Sequence, residues 1–252
     1  MNTNVSHIWA KGNRPYQEDR SFVNITNDGL LLAVFDGHGG ETAAEYCRLN
    51  LLKAFNAVAD DPIYPTIPNK IRGIFYHLNI ATQEMAEGTT ASIVFIPSTL
   101  DRAFVGVLGD SPVIIKNKDN EYWHAPEHNV RSNPKEVARV KAAGGVVFNG
   151  YAFAPGGGFS SAGLQLSRTF GDAEFASILS RDPEIFEIEL AKDSFVLVGS
   201  DGLFDPSHGS DDAASSIVQL VERGSDAKVL VQYALGIPTQ DNVTAILVRI
   251  IE

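Results

Sequence analysis

The sequence predicts an α+β fold in which helices cover a mostly antiparallel β-sheet or a pair of such sheets. Two observations support this class. Residues 30–35 (LLLAVF) form a continuous apolar run of strand length, which indicates a strand buried on both faces. Helix-like and strand-like segments are also grouped along the chain instead of alternating strictly, and this grouping favours separate layers of helices and antiparallel strands.

The remaining elements follow in order from this first strand. The strand ends in DGHGG, and two segments with apolar residues at helical spacing come next, joined by a connection with three prolines. From residue 89 the segments become short and rich in Val, Ile and Phe, with the turn sequences PSTLD and GDSP between them, which indicates strands. The predicted helices are residues 42–58, 70–85, 133–143, 211–222 and 225–235, and the predicted strands are residues 30–35, 89–96, 102–108, 113–116, 194–199 and 243–251. Glycine-rich residues 149–163 predict an irregular surface segment.

The charge balance restricts the classes of partner. The chain of 252 residues carries a formal net charge of -11 at pH 7, which opposes binding to nucleic acid or to anionic membranes because both require a basic face. An acidic protein also repels a phosphorylated substrate unless cations reverse the local charge. Carboxylates that hold divalent metal ions would reverse it.

Cysteine content and hydropathy bear on the compartment. The single cysteine, Cys47, excludes an internal disulfide, and its place in a helical pattern favours a small buried side chain over a nucleophile. No apolar run reaches the length of a membrane span, and the N-terminal residues lack the apolar segment of a secretory signal. We therefore expect a soluble monomer in the cytoplasm, with the nucleus as the alternative.

Acidic side chains recur at strand ends and in tight turns. The four segments are QED (residues 17–19), DGHGG (36–40), SDGLFD (200–205) and QDN (240–242). Side chains at the ends of neighbouring strands can converge at one edge, where their oxygen atoms suit Mg²⁺ or Mn²⁺. The candidate ligands are the carboxylates of Asp36, Asp201 and Asp241, the carbonyl oxygen of Gly37, and waters held by Glu18 and Asp19. The alternative is that each Asp-Gly pair forms only a turn, which is the commoner role for any one of them.

Two further residues suit the hydrolysis of a phosphate ester. Arg14 lies shortly before QED and can hold a phosphate with a bidentate guanidinium, or it is an ordinary solvated arginine. His38 lies between two glycines, close to Asp36, where an imidazole can protonate a leaving alkoxide near neutral pH. The alternative for His38 is a hydrogen-bonded turn histidine.

Eight blocks of the sequence, in the same order, resemble the metal-dependent serine/threonine protein phosphatases, the PPM or type 2C family. They are RPYQEDR (14–20), DGHGG (36–40), EGTTAS (87–92), GDS (109–111), EHNVRSNPKEVARVKAAGG (127–145), LQLSRTFGD (164–172), SDGLFD (200–205) and QDNVT (240–244). Because these blocks span nearly the whole chain, residues 1–252 are expected to form a single catalytic domain of this family, with a flap at about residues 146–163 beside the site.

The resemblance implies a four-layer αββα sandwich, in which two antiparallel β-sheets are flanked by helices. It also implies the hydrolysis of phosphoserine and phosphothreonine in phosphoprotein substrates by a metal-activated water at a dinuclear centre. In this family pattern Asp36 bridges two Mg²⁺ or Mn²⁺ ions. Asp201 and Asp241 complete one of the two metal sites, and Gly37 and a water on Glu18 serve the other. The pattern also implies that Asp110 and Asp201 bind a weaker third ion, that Arg14 binds the phosphate, and that His38 is the general acid.

Two positions depart from the family pattern. Pro112 stands where the family's GDSR block has an arginine, and Glu127 replaces the aspartate of its DH pair, with His128 retained. Because that arginine is not a metal ligand in the family, its replacement is expected to alter the local turn and substrate contacts without abolishing activity.

Two other functions remain open from the sequence. An inactive binding module would have no chemical need for Asp36, Asp201 and Asp241, all of which are present. A phosphatase acting on a small molecule or another kind of peptide would use the same metal site, because that site recognises the phosphate and not the group that carries it.

Overall fold

Two β-sheets packed face to face form the centre of the protein. The computed structural model describes residues 2–26, 28–156, 163–204, 211–237 and 239–251. The strands in this part of the chain are β1 (Thr3–Ala10), β2 (Arg20–Thr26), β3 (Gly29–Phe35), β4 (Gly37–His38), β5 (Gly88–Thr89), β6 (Ala91–Pro97), β7 (Arg102–Leu108), β8 (Val113–Lys116), β9 (Tyr122–His124), β10 (Val146–Phe148), β11 (Tyr151–Phe153), β12 (Phe170–Gly171), β13 (Glu184–Glu189), β14 (Phe195–Gly199) and β15 (Val243–Ile250). The helices are α1 (Thr42–Ala59), α2 (Ile67–Thr82), α3 (Pro134–Ala142), α4 (Asp211–Glu222) and α5 (Ala227–Gly236). Among the described helices, none is both long and apolar enough to cross a membrane.

Both large sheets are antiparallel and contain five strands each. The first sheet has the order β1-β15-β14-β8-β9, and the second has the order β13-β7-β6-β3-β2. A small third sheet of order β12-β5-β4 and a hairpin of β10 and β11 lie outside this pair. Since β1 and β2 are both edge strands, the segment that joins them crosses from one large sheet to the other.

Strand β3 is apolar throughout because both of its faces are covered. Leu32 faces the core between the sheets, where it belongs to the same cluster as Val196 and Val248 of the first sheet. The preceding residue, Leu31, points to the opposite face of the sheet, where it packs in a second core cluster with Leu51 of α1. Because successive side chains of a strand point to opposite faces, a strand covered on both faces needs apolar residues at every position. Each such buried leucine stabilises the fold by about 1.5–3 kcal/mol.

The same alternation in β15 builds the outer layer on the first sheet. Ile246 lies in the core between the sheets, whereas Leu247 packs in a third cluster with Ile217 of α4 and Leu230 of α5. The layers are therefore α1 and α2, the second sheet, the first sheet, and α4 and α5. This arrangement confirms the predicted four-layer αββα sandwich.

The cysteine lies inside the layer formed by α1. Cys47 is fully buried among apolar side chains of the helix-to-sheet core. Burial raises the pKa of its thiol, which disfavours the thiolate that a nucleophile would need. Cys47 is thus a core residue, in agreement with the interpretation of the sequence.

The second helix begins earlier than predicted. It starts at Ile67, whereas the periodicity indicated residues 70–85. The side chain of Thr66 caps this end by accepting a hydrogen bond from the backbone N–H of Asn69 at 3.3 Å, and Pro68 occupies the first turn. The sequence predicts a proline-rich connection that includes residues 67–69. These residues are helical instead, since a proline in the first turn of a helix removes no internal hydrogen bond.

The predicted strand at residues 89–96 is divided in the structure. The N–H of Thr90 donates to the carbonyl oxygen of Asp36 at 2.9 Å, and the Asp36 N–H donates to Thr90 Oγ1 at 3.0 Å. These bonds break the ladder, so that β5 joins the small sheet and β6 joins the second large sheet. An apolar run alone could not reveal this change of partner.

The predicted irregular segment at residues 149–163 is partly regular. Strands β10 and β11 form a hairpin, and Ala152 of this hairpin packs with Val140 of α3 and Ile178 in a small separate core. The prediction was wrong for this part, because the hairpin is stabilised by burial against α3 in spite of its glycines. Residues 157–162 of the predicted flap lie outside the described residues.

Candidate metal centre and phosphate site

Two acidic turns meet at one end of the second sheet. Asp36 directly follows β3, and Asp19 directly precedes β2. In the antiparallel ladder Arg20 of β2 pairs with Phe35 of β3. This pairing places the two aspartates side by side. The sequence predicted this, because the ends of neighbouring strands bring their side chains together.

Two more acidic turns meet at the corresponding end of the first sheet. Asp201 follows β14, and Asp241 precedes β15. The register pairs Gly199 with Ala245, so the chain segments beyond these residues lie next to each other. Both sheets therefore present a pair of aspartates at the end of the strands.

The charges of these aspartates act on Asp36. The residue as a whole is half-buried. The pKa of its carboxyl is raised well above the ordinary value, first by burial and then by the negative charges of Asp19, Asp201, Asp241 and Asp110. Asp36 is thus the point at which the acidic turns of both sheets converge. This is the position that the sequence analysis assigned to the bridging ligand.

Asp19 is the most enclosed of these carboxylates. Burial is the largest cause that raises its pKa to about 6, and the charge of Asp241 acts in the same direction. Hydrogen bonds from Thr244 and Ser200 oppose this rise, and the Thr244 Oγ1 atom donates to Asp19 Oδ2 at 2.7 Å. The hydroxyl groups fix the carboxylate of Asp19 in place, which suits it to orient a water or a neighbouring ligand.

Glu18 and Gly37 lie against each other beside Asp36. A Cβ atom on residue 37 would be 2.6 Å from the carbonyl oxygen of Glu18, so only glycine permits this approach. The N–H of Glu18 donates to Asn242 Oδ1 at 2.8 Å, and Asn242 Nδ2 donates in turn to the carbonyl oxygens of Lys11 and Tyr16 at 2.7 and 3.0 Å. Asn242 belongs to the QDN segment, but its sequence position alone indicated no role for it. Its amide holds the loop of Glu18 against the start of β15.

Asp110 is within the electrostatic reach of both Asp36 and His38. Its Oδ2 accepts a hydrogen bond from Asn129 Nδ2 at 2.7 Å. Burial is the main cause that raises the pKa of Asp110, the charge of Glu127 adds to the rise, and Asn129 and His38 oppose it. Glu127, the residue that departs from the family pattern, is thus close enough to Asp110 to influence its charge.

Arg14 reaches the rim of the aspartate cluster. Its Nη2 atom donates to Asp241 Oδ2 at 2.7 Å, and its Nε atom donates to the Gln240 carbonyl oxygen at 2.9 Å. The side chain is 44% exposed. Within the described part of the chain Nη1 forms no hydrogen bond, so this end of the guanidinium is available to an anion that enters from solvent.

His38 lies on β4, two residues after Asp36 and next to Gly37. Its Nε2 atom is 2.8 Å and 2.9 Å from the two carboxylate oxygens of Asp172, which is buried. Asp172 is the last residue of the LQLSRTFGD block, but the sequence analysis gave it no role. The two residues are 134 positions apart in the chain, so no local spacing could have linked them.

Another group of ligand-type side chains occurs outside the aspartate cluster. His128, Glu136 and Glu184 bring one ligand atom each within 4.8 Å of one another. However, Arg168 Nη2 lies 2.6 Å from Glu136 and 3.1 Å from Glu184, and Arg139 Nε lies 2.9 Å from Glu136. These arginines already supply the positive charge, so the group is an ion-pair network and not a metal site.

The aspartates of the cluster are more widely spaced. Among the described residues, no three of their carboxylates bring ligand atoms within 4.8 Å of one another. Mg²⁺ and similar ions keep several waters and need few direct protein ligands, which suits such spacing. Burial and neighbouring negative charges raise the pKa of Asp36, and a bound cation would stabilise its carboxylate against both effects. The oxygen-only donor set therefore fits Mg²⁺ or Mn²⁺.

Comparisons with known proteins agree with this architecture. A family model described as Protein phosphatase 2C matches residues 18–243. The chain is 30% identical over 250 residues to Probable protein phosphatase 2C 11 and 31% identical over 257 residues to Probable protein phosphatase 2C 69, both of Arabidopsis thaliana. These alignments cover 95% and 96% of this chain, and 64% and 69% of the two relatives. The chain thus spans about two thirds of their length.

Solved structures share the fold at lower identity. A serine-threonine phosphatase 2C from Toxoplasma gondii superposes with a TM-score of 0.78 at 22% identity, covering 98% of this chain and 94% of that one. The catalytic domain of the serine threonine protein phosphatase PstP, in complex with two manganese ions, superposes with a TM-score of 0.60 at 19% identity and covers 99% of both chains.

Proposed function

This chain belongs to the protein phosphatase 2C family, and on that premise we propose that it is a metal-dependent protein serine/threonine phosphatase. Its proposed substrates are phosphoproteins, in which it hydrolyses phosphoserine and phosphothreonine. One observation carries the proposal: Asp36 lies within the electrostatic reach of Asp19, Asp201 and Asp241, and Arg14 is hydrogen-bonded to Asp241 at the rim of the same cluster. Burial and these three charges together raise the pKa of Asp36.

The proposed cofactor is Mg²⁺ or Mn²⁺, with two ions per site and a weaker third. The two ions would be held by the carboxylates of Asp36, Asp201 and Asp241, the carbonyl oxygen of Gly37 and a water on Glu18, and the third by Asp110 and Asp201. When bound, the ions lower the pKa of a water and offset the charge of the phosphate. The all-oxygen donor set supports this proposal, as do the two manganese ions of the PstP catalytic domain.

Arg14 is the proposed phosphate-binding residue. Its bonds to Asp241 and Gln240 fix the plane of the guanidinium, while Nη1 points to no partner among the described residues. A planar guanidinium held in this way can donate to a phosphate oxygen without further ordering of the side chain. Arg14 would thereby orient the phosphorus atom and stabilise the charge that develops on the phosphoryl oxygens.

His38 is the proposed general acid. A serine or threonine alkoxide is a poor leaving group, so cleavage of the P–O bond is favoured when a proton reaches the leaving oxygen at the same time. His38 lies next to Gly37 and is partly exposed, with 30% of its side-chain surface accessible. Its charge opposes the rise in the pKa of Asp110, which supports a position close to that carboxylate.

The proline that departs from the family pattern leaves its turn in place. The carbonyl oxygen of Pro112 accepts a hydrogen bond from the Gly199 N–H at 3.0 Å, and the Ser111 Oγ atom lies 2.6 Å from Thr90 Oγ1. The neighbouring Asp110 therefore keeps a supported backbone. These contacts support the expectation that the replacement does not abolish activity.

Release of inorganic phosphate from a phosphothreonine peptide tests this function. The purified protein is assayed with EDTA, with Mg²⁺ and with Mn²⁺, and p-nitrophenyl phosphate serves as a second substrate. We expect activity only with metal. Asp36→Asn should lower kcat by a factor of about 10² or more, because the neutral amide lacks the charge that both ions would need.

The matched control is Asp119→Asn, which makes the same chemical change in an exposed turn between β8 and β9. This variant should retain the activity of the unaltered protein. A folded sample that releases no phosphate with either metal would refute the proposed function and favour an inactive binding module. Rapid hydrolysis of small phosphate esters with no turnover of phosphopeptides would favour a small-molecule phosphatase instead.

A further inference from the structure

The small third sheet brings two distant segments to His38. Its strands have the order β12-β5-β4, so β5 lies in the middle. In the two ladders Gly88 of β5 pairs with His38 on one side and with Gly171 on the other. Asp172 directly follows Gly171. The sheet therefore places His38 and Asp172 on opposite sides of Gly88.

The absence of a side chain at Gly88 allows His38 and Asp172 to meet. A Cβ atom at this position would lie 2.1 Å from Asp172 Oδ2 and 2.2 Å from His38 Nε2. The volume that any other residue would fill is occupied by the hydrogen bond between the imidazole and the carboxylate. Three separate sequence blocks, DGHGG, EGTTAS and LQLSRTFGD, thus contribute one residue each to a single contact.

The carboxylate of Asp172 is itself held firmly. Its side chain is only 6% exposed, and its Oδ2 atom accepts a hydrogen bond from Thr169 Oγ1 at 2.6 Å. Its backbone has φ 50°, in the left-handed region, and its N–H donates to the Glu87 carbonyl oxygen at 3.2 Å. Arg181 donates to the Thr169 carbonyl oxygen at 2.5 Å and also contacts the Gly171 carbonyl oxygen. Aspartate adopts the left-handed region more readily than most residues, and these hydrogen bonds hold the turn in that conformation.

We propose that Asp172 is a positioning residue for His38, which fixes the ring and directs its Nδ1 atom to the leaving group. This inference rests on the proposed function, in which His38 is the general acid. A carboxylate can only accept hydrogen bonds, so the hydrogen on this side of the ring belongs to Nε2. Within the described residues Nδ1 forms no hydrogen bond, and it is the ring nitrogen left to donate.

The proton transfer follows from this assignment. As the P–O bond breaks, its electron pair stays on the leaving oxygen. The Nδ1–H bond breaks, its electron pair stays on Nδ1, and the proton forms the new O–H bond of the released serine or threonine. The Nε2–H bond to Asp172 persists throughout, and the carboxylate stabilises the charged ring before the transfer.

A purely structural role for Asp172 is the competing explanation, because its carboxylate also accepts from Thr169 within its own turn. The two roles differ in a double-mutant cycle. If Asp172 acts through His38, its replacement costs activity only when His38 is present. If it only holds the turn, its replacement costs the same in both backgrounds.

The test uses Asp172→Asn, His38→Ala and the double variant, with a phosphothreonine peptide and p-nitrophenyl phosphate as substrates. We expect Asp172→Asn to lower kcat for the peptide about tenfold. This loss is smaller than the whole rate contribution of a general acid, because His38 itself remains. Its kcat for p-nitrophenyl phosphate should change little, since nitrophenolate leaves without a proton. In the His38→Ala background, Asp172→Asn should have no further effect. Glu174→Gln, an exposed carboxylate two residues away, is the matched control.

A second perturbation reaches the same contact from the other side. Gly88→Ala inserts a methyl group between the two side chains, and it should reproduce the substrate-selective loss of Asp172→Asn if the variant remains folded by circular dichroism. Equal losses on both substrates, or an additive loss in the double variant, would overturn the positioning role.

A measurement without turnover separates this inference from the proposed function. In a long-range ¹H–¹⁵N spectrum of the metal-free protein, the neutral ring of His38 should carry its hydrogen on Nε2, and Asp172→Asn should shift that tautomer balance. An unchanged His38 spectrum in the variant would overturn the proposal even if the enzyme is active. Conversely, the predicted shift in a protein without phosphatase activity would uphold the contact while refuting the function.

Discussion

At the scale of single residues, Arg14 shows how one side chain can serve two purposes. Its bond to Asp241 offsets part of the negative charge of the cluster, and the same bond fixes the guanidinium that we expect to meet the phosphate. The sequence allowed two interpretations, a surface arginine or a phosphate ligand. The structure brings its guanidinium to Asp241 of the aspartate cluster, which is where a phosphate ligand would be needed.

Arg14→Ala should lower kcat/KM for a phosphothreonine peptide about tenfold or more, because a hydrogen bond to a charged group contributes about 1.5–3 kcal/mol and this site is partly exposed. Arg14→Lys should restore only part of the loss, since an ammonium lacks the planar fork. Steady-state kinetics with saturating Mn²⁺ measures both effects.

Arg72→Ala provides the control for this prediction. Arg72 also pairs with an aspartate, Asp182, at 3.1 Å, and both side chains are largely exposed. Its removal changes the net charge equally without touching the cluster. If Arg72→Ala lowered kcat/KM as much as Arg14→Ala, general electrostatics rather than phosphate binding would explain the result.

At the scale of elements, the buried strands and the long helices were predictable from the sequence. Strands β7 and β8 and helix α4 have the predicted bounds, because burial on one or both faces leaves a clear periodicity. The edge strands β1, β2 and β13 were missed. Their residues are mostly half-exposed, so polar and apolar side chains mix and the pattern resembles that of a loop. The two-residue strands β4, β5 and β12 are too short to show any period.

The candidate site divides in the same way. Asp36, Asp201 and Asp241 were identified because each lies next to a buried strand or a turn, and antiparallel pairing does bring these ends together. The partner of His38 could not be identified, because Asp172 approaches it through the small sheet. Contacts of that kind depend on tertiary pairing and on the empty volume at Gly88.

The ion-pair network joins Glu136 of α3 through Arg168, which lies just before β12, to Glu184, the first residue of β13. His128 is fully buried, and its Nδ1 atom accepts a hydrogen bond from the Gly109 N–H at 3.1 Å. Burial is the main cause that lowers the pKa of His128 to about 4, and the charge of Arg168 acts in the same direction. Burial alone would raise the pKa of Glu136, but hydrogen bonds from Arg168, Ser167 and Arg139 outweigh it and lower the value to about 2.

This network predicts a loss of stability in acid. Below pH 6.5 the unfolded chain binds a proton at His128 that the folded protein does not take up until about pH 4. The free energy of unfolding should therefore fall by up to about 3 kcal/mol across this interval. Urea denaturation at several pH values, in EDTA, measures the slope.

His128→Asn tests the origin of that slope. The asparagine oxygen can still accept from the Gly109 N–H, but the residue does not titrate. The variant should be less stable at neutral pH and should lose the part of the pH dependence between pH 6.5 and 4. If its stability followed the same curve as that of the unaltered protein, His128 would not be the responsible group.

At the scale of the whole molecule, the net charge of -11 sets a problem for an enzyme that acts on phosphate. Several of the responsible carboxylates are concentrated where the two sheets end, and the pKa values of Asp36, Asp19 and Asp110 are raised there, first by burial and then by neighbouring negative charges. Bound cations would offset these charges and make the site attractive to an anion.

Binding of Mn²⁺ should accordingly stabilise the folded protein. At an ion concentration about 100 times Kd the gain is about 2.7 kcal/mol, which corresponds to a rise in Tm of about 5–10 °C for a chain of this size. Differential scanning fluorimetry with Mn²⁺, and with KCl at the same ionic strength, measures it. Asp36→Asn should be more stable than the unaltered protein in EDTA and should respond weakly to Mn²⁺. An equal rise in Tm with KCl would contradict specific binding.

The most direct test of the central claim is the number of Mn²⁺ ions bound per chain, measured by equilibrium dialysis, on samples whose phosphothreonine phosphatase activity is assayed in parallel. We predict two tightly bound ions and activity that rises as they bind and disappears when EDTA removes them. Asp36→Asn should lose both the tight binding of Mn²⁺ and the activity. A folded protein that binds no Mn²⁺, or whose activity is unchanged after the ions are removed, would contradict it.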